Sequence, residues 1–89
     1  MHNVAEVRSR IVALVERILQ QNSITCDVTP DVKLVDIGLT SVDMVSLMLG
    51  VEAEFDFTIP QDEITPENFQ SVATLERMVV RELQVAQAA

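Results

Sequence analysis

Eighty-nine residues, 48% of them hydrophobic, suffice for one core and hence one domain. Fourteen Asp and Glu against six Lys and Arg leave a formal charge of -8, which repels phosphate backbones and excludes nucleic acid as a partner. The single cysteine, Cys26, and the single histidine, His2, exclude disulfides and zinc sites.

From Asn3 onward the apolar residues Val4, Val7, Ile11, Leu14 and Ile18 recur at every third or fourth position, with Val15 and Leu19 broadening the stripe. That spacing predicts an amphipathic helix over about residues 3–21. Between Asn22 and Thr40 the period lapses into short polar and β-branched residues, with Pro30 and Gly38, as in a long loop. Ile24, Val28, Val32, Leu34 and Ile37 can anchor that loop on the helices, and a short helical turn is expected from Val32 to Val35.

A second helix is expected over about residues 41–54. At its start a hydroxyl of Thr40 or Ser41 can cap free N–H groups, and Asp43 in the first turn suits the positive end of the dipole. The following segment, Asp56 to Ile64, has Pro60 and no helical period. Thr65-Pro66 then places a cap before a proline, predicting a short helix over 66–69. The last helix is expected over 71–85, with Val72, Leu75, Met78, Val79 and Leu83 inward and Glu76, Arg77, Arg81 and Glu82 in water. No strand signal competes, so the fold class is all-α: a small four-helix bundle of three main helices and one short one, forming a single domain over 1–89.

No apolar run approaches the roughly 20 residues that cross a bilayer, and no basic segment followed by an apolar run opens the chain. No membrane association and a cytoplasmic location are expected. The acidic surface predicts fast, weak, salt-dependent association with cationic partners, as suits a monomeric shuttle.

The second helix carries two apolar arcs. Advancing about 100° per residue, Met44, Leu47, Met48, Val51 and Phe55 form one. Val42, Val45, Leu49 and Ala53 form the other, set apart by Ser41 and Glu52 on one side and by Asp43, Ser46, Gly50 and Glu54 on the other. Either this helix is the most central of the bundle, or the first arc faces the core and Val45 and Leu49 form a docking surface beside Ser41. Gly50 inside a helix costs about 1 kcal/mol relative to alanine, so either a neighbouring element packs close to it or the helix is locally loosened there, and close packing is the expectation.

An EF-hand starting at Asp27 fails, because the sixth position is Val32 and the twelfth is Gly38. Catalysis by the chain itself is not expected: neither Cys26 nor Ser41 has a histidine placed as a base, and no paired carboxylates stand out. Met44, Met48 and Met78 fall on predicted core faces and read as core filling.

The stretch from Val35 to Val45 (VDIGLTSVDMV), then Glu52-Ala-Glu-Phe55, Ile59-Pro60 and the spacing of Phe69, Ser71, Val72 and Leu75, resembles the acyl carrier protein and peptidyl carrier protein family over most of the chain. Asp36, Gly38 and Ser41 supply its Asp-x-Gly-x-x-Ser element. The resemblance implies that Ser41 receives 4'-phosphopantetheine from coenzyme A through a magnesium-dependent phosphopantetheinyl transferase. The thiol of the arm would then hold cargo as a thioester. A helix start welcomes that anion independently of the resemblance, through its free N–H groups and dipole, and Gly38 removes a side chain that could hinder approach.

Asp36, Gly38, Thr40, Val42, Asp43, Val45, Leu49 and Glu52 are the expected partner contacts, with Asp36 and Asp43 also open to a reading as solvated or capping acids. The implied partners are the transferase, an acyl- or aminoacyl-loading enzyme, and downstream acyltransferases or synthases with basic docking surfaces. Two departures from the family pattern matter. Thr40-Ser41-Val42 stands where Asp-Ser-Leu is usual, and Ser46 and Ala53 leave the second helix fewer acids than fatty-acid carriers have. The primary expectation is a discrete acyl carrier. The alternatives are an aminoacyl or peptidyl carrier loaded by an adenylating enzyme, and an unmodified helical adaptor in which Ser41 is a plain cap.

Overall fold

The computed structural model describes the backbone of residues 4–88 and the side chains of residues 5–85. His2, the expected helix start at Asn3 and the Val4 side chain lie outside the described residues. Helix α1 spans Val4–Gln21, α2 Ser41–Phe55 and α3 Val72–Ala88, with short 3-10 turns at Leu34–Ile37 and Gln61–Glu63. No strand occurs among the described residues, in keeping with the all-α expectation.

The predicted stripes become the core. Val7, Ile11 and Val15 of α1, Leu47 and Val51 of α2, and Val72, Leu75, Met78 and Val79 of α3 are all fully buried. Helix α1 packs against both α2 and α3 and is therefore the shared element of the bundle. Burial of each such aliphatic side chain is worth about 1.5–3 kcal/mol, so the three stripes hold the helices together.

The long connection between α1 and α2 is ordered by side chains and by backbone bonds. Leu34 is buried, and the half-buried Ile24, Val28 and Ile37 pack against the core, as expected, while Val32 is half-buried without joining them. The Leu34 N–H donates to the Gln70 carbonyl (2.9 Å) and the Ala73 N–H to the Pro30 carbonyl (2.9 Å), tying the loop to the entrance of α3. The helical turn forms at Leu34–Ile37 rather than from Val32 to Val35, because it begins at the residue drawn into the core. Gly38, with φ +110, ends it.

Two further expectations need correction. Residues 66–69 form a turn and not a helix. Thr65 acts as foreseen, its carbonyl accepting the Phe69 N–H (3.2 Å) and its hydroxyl the Asn68 N–H (3.2 Å). Ser71 then starts a new cap, however, and leaves no room for a second turn. There the Thr74 N–H donates to Ser71 Oγ (3.3 Å) and the Ser71 N–H to Thr74 Oγ1 (3.0 Å). Pro60 instead opens the turn at Gln61–Glu63.

Glu76 is the second correction, being 5% exposed rather than in water. Its place four residues after Val72 and three before Val79 puts it on the buried stripe. Arg8 of α1 reaches over it, with Nε and Nη2 at 3.1 and 2.7 Å from Oε2. That carboxylate holds the Arg8 guanidinium above its ordinary pKa, first by hydrogen bonding and then by charge.

Candidate attachment site at the start of α2

The first turn of α2 is closed by Thr40, not by Ser41. Thr40 sits at the cap position with extended backbone, and its Oγ1 accepts the Asp43 N–H (3.2 Å). In return Asp43 Oδ2 accepts the Thr40 N–H (2.9 Å) and the Thr40 hydroxyl (3.0 Å). This reciprocal capping box satisfies two otherwise orphaned donors. The Asp43 carboxyl is held below the usual aspartate range, first of all by the Thr40 N–H and further by the hydroxyl of Thr40 and the amide of Asn22.

Ser41 is consequently the first helical residue and is exposed. No hydrogen bond to its hydroxyl occurs among the described residues. A capping serine would have its oxygen on the N–H two or three residues ahead, and here Thr40 occupies that acceptor role. The plain-cap reading of Ser41 therefore does not hold.

The two arcs of α2 separate as the docking alternative requires. Leu47, Val51 and Phe55 are buried, while Val42, Val45 and Leu49 are 74%, 52% and 55% exposed. Because α1 is the shared helix, the wide apolar coverage of α2 does not mark a central position. Close packing at Gly50 is confirmed: a Cβ there would lie 3.2 Å from Leu14 Cδ2.

Met44 and Met48 are only half-buried. They line a cavity of about 600 Å³ beside Ser41, together with Val45, Ile64, Phe69 and Lys33. Core filling thus holds fully for Met78 alone among the three, since Met44 and Met48 pack against the core but also line this cavity.

The remaining predicted site residues sort by what they touch. Asp36 is exposed in the 3-10 turn. Gly38 is there for its left-handed φ and for packing, since a Cβ would meet Ile24 Cδ1 at 2.7 Å. Glu52 accepts the Ile59 N–H at 2.8 Å and so pins the loop after α2. Glu54 pairs with Arg10 of α1 at 3.0 Å. Asn22, which local patterns did not single out, donates to Asp43 Oδ2 at 2.9 Å. It lies 21 residues before its partner, and no periodicity or motif connects them.

Residues 9–79 match the model of a family described as the phosphopantetheine attachment site. The chain belongs to that family. Over 84 residues this carrier is 73% identical to aminoacyl carrier protein 1 of Bradyrhizobium diazoefficiens, spanning 94% of this chain and 93% of the relative. It is also similar to a chain in the crystal structure of Bradyrhizobium japonicum glycine:[carrier protein] ligase complexed with glycylated carrier protein. There the TM-score is 0.71 at 76% identity, covering 81% of this carrier and 97% of that chain. The solution structure of a holo acyl carrier protein from Nitrosomonas europaea matches with a TM-score of 0.64 at 25% identity, over 94% of this carrier and 99% of that chain.

The chain is therefore a carrier and not an enzyme, and its group is covalent 4'-phosphopantetheine. The residues fit that group: an exposed hydroxyl without a competing hydrogen bond stands where the helix presents free N–H groups and its positive end. No helix among the described residues is long and apolar enough to cross a membrane.

Proposed function

We propose that Ser41 is the attachment residue and that this carrier holds an aminoacyl group delivered by an amino acid:[carrier protein] ligase. The observation that carries the first part is the division of labour at the helix start: Thr40 and Asp43 do the capping, which frees the Ser41 oxygen for a bond to phosphorus. In that step the Ser41 hydroxyl gives up its proton to a base on the phosphopantetheinyl transferase as the nucleotide portion of coenzyme A leaves. The resulting phosphodiester lies against the positive end of α2. Once bound, the group supplies a thiol that holds the cargo as a thioester.

Of the cargo classes left open by the sequence, the aminoacyl class is favoured by the relatives. One is named an aminoacyl carrier protein, and another is glycylated in complex with its ligase. Glycine is the first cargo to test.

Docking is proposed at the face of α2 beside Ser41. Val42, Val45 and Leu49 supply exposed apolar area, and Asp36, Gly38, Thr40, Asp43 and Glu52 are the further proposed contacts. The three acids of α2 are all engaged internally, Asp43 with Thr40 and Asn22, Glu52 with Ile59 and Glu54 with Arg10. The contact itself is thus mainly apolar. Charge acts at longer range: ten of the fourteen acids lie between residues 22 and 71, where Lys33 is the sole cation. That segment contains Ser41, and its negative charge steers a basic partner toward it.

The experiment is a loading assay on the pantetheinylated protein with purified ligase and a panel of amino acids, run beside fatty acids with an acyl-loading enzyme. Formation of an aminoacyl thioester that is lost in Ser41→Ala supports the reading. Loading by fatty acids alone would return the carrier to the acyl class.

A further inference from the structure

Three donors converge on a single oxygen at the start of α2. Asp43 Oδ2 accepts the Thr40 N–H at 2.9 Å, the Thr40 hydroxyl at 3.0 Å and Asn22 Nδ2 at 2.9 Å. A carboxylate oxygen has about two lone-pair sites, so the three donors more than saturate Oδ2 and share it. Two of the donors belong to the capping box itself. The third comes from another element and is the one that fixes the carboxylate relative to the rest of the molecule.

Asn22 is itself well held. Its N–H is shared between the carbonyls of Ile18 and Leu19, each at 3.1 Å. The next residue, Ser23, takes a left-handed conformation with φ 58, and the Ile24 N–H returns to the Leu19 carbonyl at 2.8 Å. This is a closed helix end, and it places the Asn22 amide at a defined point beyond the last turn of α1. Two residues on, the Ile24 side chain lies against Gly38, so the same corner also touches the turn that leads into Thr40.

We infer that Asn22 is a positioning residue for pantetheine attachment: its amide holds the Asp43 carboxylate in the capping box and thereby fixes the first turn of α2, on which the Ser41 hydroxyl stands. The inference rests on Ser41 being the attachment residue. Without the amide, the Asp43 carboxylate is held by the two hydrogen bonds from Thr40 alone, nothing ties it to the end of α1, and the turn carrying Ser41 loosens. Asn22 makes its side-chain hydrogen bond to Asp43 and none to the Ser41 hydroxyl, so its effect passes through Asp43.

The test uses the full-length apo protein, coenzyme A, magnesium and a phosphopantetheinyl transferase, with initial rates followed by intact mass for wild type, Asn22→Ala, Asn22→Asp, Asp43→Ala and the Asn22→Ala/Asp43→Ala double variant. Asn22→Ala is expected to lower kcat/KM roughly fivefold at unchanged helix content, and Asn22→Asp to lower it further because a like charge faces Asp43. In the Asp43→Ala background the Asn22→Ala change should have no further effect. Carbon-detected NMR titration should show the Asp43 carboxyl shifted upward in Asn22→Ala, a signature that general stabilisation of α1 would not give. A wild-type rate in Asn22→Ala, an equal loss with and without Asp43, an unmoved Asp43 titration, or a loss of helix content in step with the rate each overturns the inference while leaving Ser41 in place. A wild-type protein that gains no adduct, or a Ser41→Ala variant that gains one at the wild-type rate, overturns the Ser41 reading and this inference with it.

Discussion

Gly50→Ala probes a contact between α2 and α1 that reports the rotation of α2, and hence which arc faces outward. The new Cβ would stand 3.2 Å from Leu14 Cδ2 and 3.8 Å from Cδ1. Carbon pairs prefer about 3.5–4.0 Å, so the tip of Leu14 must retreat by a few tenths of an ångström. Overpacking costs about 1–3 kcal/mol, and the lower end applies because the obstacle is the end of a flexible side chain. Against this, alanine gains about 1 kcal/mol over glycine in a helix interior. The two effects nearly cancel, and Gly50→Ala alone should change stability by less than about 1 kcal/mol. In a Leu14→Ala background the obstacle is gone and the same substitution should stabilise by the full ~1 kcal/mol. Leu14→Ala itself costs about 2–5 kcal/mol, which the cycle subtracts. Urea denaturation of the four proteins measures the coupling, which corresponds to roughly 4–8 °C in Tm for a domain of this size. Equal stabilisation in both backgrounds would mean that Leu14 does not pack on Gly50, and the assigned rotation of α2 would fall with it.

Neighbouring positions on α2 should respond in opposite ways. Leu47→Ala, at a fully buried site, is expected to cost about 2–5 kcal/mol, whereas Leu49→Ala, on the exposed arc, should stay within about 0.5 kcal/mol in the same urea titration. Leu49→Asp and Val45→Asp should leave the thermal transition close to wild type yet raise the KM of the loading ligase for the carrier, whereas Glu54→Gln, at a residue engaged with Arg10, should change that KM little. The pH dependence of stability should reveal Asp43. Its folded pKa lies below its unfolded value, so its contribution is complete above the ordinary aspartate value of about 3.9 and is lost as the pH falls toward the folded value. Asp43→Asn should accordingly flatten the acid side of the stability profile below about pH 4 and leave neutral-pH slopes unchanged.

The helices were legible because their apolar spacing is local and regular. The double arc of α2 also named the exposed residues Val42, Val45 and Leu49, although which arc would be buried depended on α1 being the shared helix. Short elements were harder. Thr65-Pro66 carried a helix-start signal that produced a single turn, since the competing cap at Ser71 follows within one turn. Charge alone assigns Glu76 to water, although its register with Val72 and Val79 puts it inside, where Arg8 meets it. At the site, the hydroxyl-rich helix start was visible, but the choice between Thr40 and Ser41 as the cap needed geometry. The partners of Glu52 and Asn22 were not visible, because contacts that close a loop or join two elements leave no periodic trace.

The most direct test of the central claim is the intact mass of the apo protein after incubation with coenzyme A and a phosphopantetheinyl transferase, followed by peptide mapping. The account predicts a gain of one phosphopantetheine, located on the peptide containing Ser41 and absent from Ser41→Ala. An adduct on another residue, or a Ser41→Ala protein modified as fast as wild type, would contradict it.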